Sequence, residues 1–317
     1  MPRAGALGRE AGATFPPFLS TIAGDRIGPD YRGAGAAPWW QGGLAMFRDF
    51  FIYSAEVLAA AGLSTTVART NIDADADFEC YAQSSTQISR LARVTQTESS
   101  SGRQMQDGPN PLTGAFSDGR HLFSFPVAKV FKRGSTLISN IVDESGAGNQ
   151  VRLAYHGAKV FPRWPFPRPE YVARELFSYT VPFVAVATDP FGVGTIAVGG
   201  VGIYTVRIQE DADFEIRKWT ITHDQAIPAA SDSVALMMLS DESANVQLMD
   251  RPIPVESLGG AIFSDADFSA NYPYTLRVPK LIRAGNVLTV TVRNLCAAPL
   301  ALRMVLWGAK CYSDLPR

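Results

Sequence analysis

Short runs in which apolar and polar residues alternate, interrupted by clusters of Gly, Pro, Asn and Asp, dominate the chain. Residues 202–208 and 214–221 carry the period of a half-buried strand, as do residues 287–292 within NVLTVTVRN and the closing run 300–307. Weaker counterparts lie at residues 135–142 and 151–156. Turn-forming clusters such as Ser264-Asp265-Ala266-Asp267 and Arg283-Ala284-Gly285-Asn286 separate such runs. No long amphipathic helix intervenes, so the pattern predicts an all-β protein built from antiparallel sandwiches, not a parallel α/β sheet. A jelly roll is the first expectation and an immunoglobulin-like sandwich the second, because periodicity carries no strand order.

The same landmarks occur twice in the same order. Ile72 and Asp75-Ala76-Asp77-Phe78-Glu79 match Ile208 and Asp211-Ala212-Asp213-Phe214-Glu215 at one constant spacing. Gln104-Met105-Gln106-Asp107 answers Gln247-Leu248-Met249-Asp250, Phe116-Ser117-Asp118 answers Phe263-Ser264-Asp265, and Phe125-Pro126 is matched to Val278-Pro279. Gly134, Leu137, Ile141 and Gly157-Ala158-Lys159 correspond to Gly285, Leu288, Val292 and Gly308-Ala309-Lys310, and Phe161 and Tyr312 close the two copies. Such collinearity marks an internal duplication. The expected organisation is an extended Gly/Ala/Pro-rich arm over 1–47, a first sandwich over 48–162, a Pro-rich linker over 163–180 with a short helix in its second half, and a second sandwich over 181–317.

The acidic row of NIDADADFECY is the sharpest local feature. Residues two apart in a strand lie roughly 6.5 to 7 Å from each other, whereas calcium takes about six to eight oxygens at about 2.3 to 2.6 Å, so Asp73, Asp75 and Asp77 do not close on one ion. Alternation instead puts them on the outward face of a strand, with Ile72, Ala74, Ala76 and Phe78 inward. A third DADF at residues 265–268 reads as a turn. The repeated Gly-Ala-Lys places Lys159 and Lys310 near strand ends, where an edge-protecting or solubilising charge is the plainer reading than a ligand-positioning one.

Composition narrows the chemistry further. The 317 residues suffice for two ordinary domains, and 46% hydrophobic with 19% charged residues is the balance of a folded protein somewhat poor in charge. A net charge of −1 without a concentrated basic run removes the electrostatic footprint of a nucleic-acid binder. Cys80, Cys296 and Cys311 form no CxxC pair, which suits a reducing compartment, and no stretch reads as a leader or a membrane span. His121, His156 and His223 sit in no catalytic motif, the glycines near 192–202 lack the Lys-Ser/Thr of a phosphate loop, and no catalytic, cofactor or metal residue is assigned. Trp39, Trp40 and Trp164 are the candidate interface anchors of the arm and linker.

DADFE early, a central segment like LMDRPIP, a basic-Gly turn, VLTVTVRNL and a terminal WGAKCY together resemble a group of tailed-bacteriophage virion proteins. The resemblance covers both copies but not the arm, and it carries no catalytic residue. It implies a non-enzymatic virion component with jelly-roll domains, a capsid decoration or cement protein or a collar or tail part. It further implies partners among the major capsid or other virion chains and a homo-oligomer such as a trimer, made in the host bacterial cytoplasm. The alternative is a carbohydrate- or receptor-binding module whose aromatic platform draws on Trp164, Trp219 and Trp307.

Overall fold

Strands of the first half pair as a nested set. In the computed structural model, which describes residues 46–60, 62–85, 92–116, 122–144, 148–162, 170–183, 194–226, 233–262 and 273–313, they are β1 (Phe47–Ala59), β2 (Thr65–Asn71), β3 (Asp77–Ser85), β4 (Ala92–Glu98), β5 (Asn110–Pro111), β6 (Phe123–Phe131), β7 (Thr136–Asp143) and β8 (Asn149–Phe161). A short helix α1 (Leu112–Phe116) follows β5. The first strand pairs with the eighth, the second with the seventh, the third with the sixth and the fourth with the fifth. Rolling this long hairpin adds β3 to β8 and β4 to β7. Two sheets result, in the orders β1-β8-β3-β6 and β2-β7-β4-β5, which is an eight-strand jelly roll.

The second half repeats the roll with β9 (Ala173–Val181), β10 (Thr195–Ile196), β11 (Val201–Arg207), β12 (Asp213–His223), β13 (Ala235–Asp241), β14 (Val246–Gln247), β15 (Ile253–Pro254), β16 (Gly260–Ile262), β17 (Tyr274–Ile282), β18 (Val287–Asn294) and β19 (Leu300–Tyr312). One sheet runs β9-β19-β12-β17 and the other β11-β18-β13, with β14 and β15 along the far edge of β13. Two short additions decorate the first of these sheets, β10 on β19 and β16 in parallel on β12. Both sandwiches lie in one compact unit, Leu44–Arg317, while residues 1–45, including Trp39 and Trp40, lie outside the described residues.

Alternation accounts for the cores. Strand β7 buries every second residue, among them Leu137 and Ile141, and β12 buries Phe214 and Ile216 before a bulge and Trp219 and Ile221 after it. Each roll closes where the third strand of the set meets the eighth. There Phe78 and Phe214 lie against Gly157 and Gly308, and a Cβ on either glycine would overlap the carbonyl oxygen of Glu79 or Glu215 and crowd the phenylalanine ring. Both third strands then carry a β-bulge, between Cys80 and Ala82 and between Ile216 and Lys218. The repeated Gly-Ala-Lys and DADF motifs are thus two sides of one contact.

Three expectations change. The second half of the linker is no helix: Ala173–Val181 is β9, paired along β19, and residues 163–169 with Trp164 lie outside the described residues. The acidic row is not a strand, because β2 ends at Asn71 and β3 begins at Asp77, so Asp73 and Asp75 occupy the connecting bend and Ala74 is exposed. Pairing with the bulged strands makes Phe125 the counterpart of Leu276, not of Val278, since Gln83 and Trp219 face Phe123 and Tyr274 while Cys80 and Ile216 face Lys129 and Lys280. Prolines within both strands had drawn the sequence match two positions astray.

The glycine contact sets a test. Gly157→Ala and Gly308→Ala should each cost about 3 kcal/mol or prevent folding, since overpacking has no room to relax against backbone. Gly108→Ala, with open space around it, should be neutral in the same urea melts.

Candidate functional site

Strand β1 is buried on both faces. Phe51, Tyr53 and Ala55 point into the first core, whereas Phe50 and Ile52 join the core of the second sandwich. Burying two such side chains is worth roughly 1.5 to 3 kcal/mol each. Phe50 meets the edges of Trp219 and Tyr274 at centroid distances of 5.7 and 6.3 Å, and those two rings stack on each other at 4.6 Å. The outer edge of β1 also gains backbone partners from the second sandwich. Ile52 N–H donates to the Leu248 carbonyl at 3.1 Å, and Asp250 N–H donates to the Ile52 carbonyl at 3.1 Å.

Polar groups fix the register of this seam. Asp250 Oδ1 accepts from Ser54 N–H at 2.9 Å and from Ser54 Oγ at 3.1 Å. Lys280 Nζ donates to Asp49 Oδ2 at 2.6 Å, with the Lys280 side chain almost wholly buried, and the Arg277 guanidinium lies 4.9 Å from the Tyr81 ring centre. His156 sits between two hydroxyls, Nδ1 2.7 Å from Tyr274 Oη and Nε2 2.9 Å from Ser84 Oγ. A neutral imidazole satisfies both by donating at one nitrogen and accepting at the other. Burial holds its pKa down to about 3, and burial pushes that of Asp250 up to about 6 against the pull of Arg251 and Ser54.

The acidic bend has a different employment. Lys159 Nζ donates to Asp73 Oδ2 at 2.7 Å and Asp75 Oδ2 at 2.9 Å and lies 4.3 Å from the Phe51 ring centre. Lys310 repeats this with Gln209, Asp211 at 2.7 Å and the Phe177 ring at 4.5 Å. Burial lowers the Lys310 pKa, but the hydrogen bond and charge of Asp211 outweigh it and leave it raised. Asp77 and Asp213 accept from the backbone N–H of Arg133 and Ala284 at 3.0 and 2.8 Å, clasping the turns whose Gly134 and Gly285 have φ of 71° and 76°. Tyr53 and Tyr179 complete the correspondence, each phenolic oxygen accepting a backbone N–H, from Asp73 and Gln209, at 3.0 Å.

These carboxylates therefore neutralise a lysine and cap a turn, and among the described residues no group of His, Cys, Asp and Glu converges to hold a metal ion. The lysines are likewise not solvated edge charges. His223 is buried and its Nδ1 lies 2.8 Å from the Gln225 carbonyl oxygen, while His121 is outside the described residues. The three cysteines are free and buried. Of the tryptophans considered for a sugar platform, Trp219 is sealed in the core with Nε1 donating to the Leu258 carbonyl at 2.9 Å, Trp307 is exposed, and Trp164 lies outside the described residues.

No protein-family profile matches the chain, and no curated protein matches it. Among solved structures, one of the Macrobrachium rosenbergii nodavirus aligns over 96% of this chain and 100% of its own, at 10% identity and a TM-score of 0.18. One of infectious bursal disease virus, Gx strain, aligns over 88% of this chain and 85% of its own, at 7% identity and a TM-score of 0.12. Both are virus structures, and scores this low leave the nested strand order as the description of the fold.

The seam escaped the sequence reading, although its signal was present. Residues 50–53, FFIY, form a continuous apolar run, the mark of a strand covered on both faces.

Two measurements check these assignments. Asp211→Ala should lower stability by roughly 2 kcal/mol by stripping a buried ammonium of its carboxylate; Asp75→Ala should cost less because Asp73 remains, and millimolar calcium should not move the melting temperature of any of the three proteins. The seam titrates in two opposing senses. Asp250, with its folded pKa above the unfolded value of 3.8, loses stability as pH rises toward about 6, whereas His156, with its folded pKa below 6.5, loses it as pH falls. The stability of Asp250→Asn minus that of the parent should therefore grow by roughly 2 to 3 kcal/mol between about pH 4 and pH 7 in chemical denaturation.

Proposed function

We propose that the chain is a non-enzymatic structural protein of a bacteriophage virion, a capsid decoration or cement component that binds the major capsid protein or neighbouring virion chains. The observation that carries this reading is the pair of jelly rolls joined by a buried, hydrogen-bonded seam. Jelly rolls recur in viral capsid and lectin domains, and a rigid double roll offers broad, fixed surfaces for packing between neighbours. Fold alone does not assign a role. The buried histidine and the lysine-filled acidic bends fit a protein whose polar groups hold structure.

In this role residues 1 to 47, with Trp39 and Trp40, and the sandwich edges bind adjacent virion chains, and Trp164 is a further candidate contact. The protein works as a homo-oligomer, a trimer by the resemblance, without cofactor, nucleic acid or membrane. It is made in the host cytoplasm and resides in the virion. Deleting residues 1 to 40 should abolish incorporation into particles while leaving the melting transition of the two rolls intact. Normal incorporation of the truncated chain would remove the arm from the proposal. Glycan-array binding by the full chain, with no affinity for capsid shells, would replace decoration by the receptor-binding alternative.

A further inference from the structure

The seam joins unlike surfaces. The first roll contributes the outer face and edge of its first strand, and the second contributes β17 and residues 248–250. Because the chain is duplicated, each of these surfaces exists once more, on the other roll, and among the described residues it lacks the partner that its counterpart has. The register identifies the counterparts. Phe51 faces Gly157 and Phe177 faces Gly308, so Phe50 corresponds to Leu176, Asp49 to Glu175, Ser54 to Thr180 and His156 to Trp307. Phe50 is 3% exposed and Leu176 78%; His156 is 3% exposed and Trp307 42%.

The complementary surface recurs on the first roll. Gln83 faces Phe123 where Trp219 faces Tyr274, and Cys80 faces Lys129 where Ile216 faces Lys280. Phe123 is 38% exposed whereas Tyr274 is 5% exposed. Residues 105–107 hold the same place as residues 248–250: Met105 N–H donates to the Gln96 carbonyl at 2.9 Å, and Leu248 N–H donates to the Leu239 carbonyl at 3.0 Å. Asp107, the counterpart of Asp250, is exposed. Two polar pairs of the seam, Asp49–Lys280 and Ser54–Asp250, are matched in kind by Glu175 with Lys129 and Thr180 with Asp107, whereas the His156–Tyr274 pair is replaced by the apolar Trp307 and Phe123.

We propose that a second copy of this chain docks head to tail and rebuilds the seam between molecules. The β9 edge and the Leu176–Trp307 face of one copy receive Phe123, Lys129 and residues 105–107 of the next. Lys129 then leaves its 3.6 Å approach to Glu98 for Glu175 of the neighbour, and Asp107 accepts from Thr180. Leu176 and Trp307, exposed in the isolated chain, become covered as Phe50 and His156 are. A contact between unlike surfaces propagates and closes into a ring when its rotation allows. This deepens the assembly reading above, yet its support is the seam itself.

Mixing purified Asp107→Cys chains with Thr180→Cys chains tests it, since both positions are exposed and the native cysteines are buried. Mild oxidation should give disulfide-linked dimers in the mixture and in neither variant alone, and Ser54→Cys with Asp250→Cys in one chain serves as the internal positive control. In sedimentation, Glu175→Lys should weaken self-association at least tenfold, and adding Lys129→Glu in the same chain should restore it. Absence of the mixed dimer while the control closes, cross-linking of one variant with itself, or a parent chain that stays monomeric at millimolar concentration would each overturn the proposal. None of these outcomes bears on shell binding, which is measured separately on particles.

Discussion

Everything in the structure hangs on the crossing of the third and eighth strands of each roll. There a phenylalanine ring occupies the space that a side chain would take, and glycine is the residue that leaves it free. The contact joins two strands far apart in sequence, so it closes the roll and holds the two sheets in a fixed relation. Next to it lies the lysine of the same Gly-Ala-Lys, drawn over an aromatic ring and held by the acidic bend. One small apolar contact and one nearly buried cation thus explain why the two motifs appear together, twice.

The duplication was not used symmetrically. The face that carries Phe50 and His156 in the first roll is sealed by the second, while the face that carries Leu176 and Trp307 is open. Residue chemistry records this history: the sealed strand reads FFIYSA and its open counterpart LFSYTV, the latter replacing Ile52 by Ser178 but keeping the core pair Phe177 and Tyr179. Open surfaces of this kind carry meaning when they match a known partner in shape and charge. The surface that seals Phe50 has its own counterpart on the first roll, at Phe123, Lys129 and residues 105–107.

Buried polar groups at the seam serve specificity more than strength. An aspartate that resists ionisation and a histidine that resists protonation are each costly to enclose, and both are retained with complete hydrogen-bond partners. Such groups disfavour a slipped register, because a shift of one position would leave them buried and unpaired. That logic suits a chain whose two rolls must keep one relative placement.

By itself the sequence determined the all-β class, the duplication and the alternation along β7 and β18, because alternation and repeat spacing are local properties of the chain. Phe78 and Phe214 were legible as core anchors for the same reason. Tertiary structure alone decided the rest. Nested pairing of the first strand with the eighth involves partners about a hundred residues apart, to which periodicity is blind. The employment of Asp73, Asp75 and Asp77 depended on where Lys159 and the turn at Gly134 arrive in space, and the bend between β2 and β3 broke the alternation that had placed them on a strand. Whether β1 faces water or a second core depended on the neighbouring roll, and so did the contrast between Phe50 and Leu176, two apolar residues in equivalent strands with opposite surroundings.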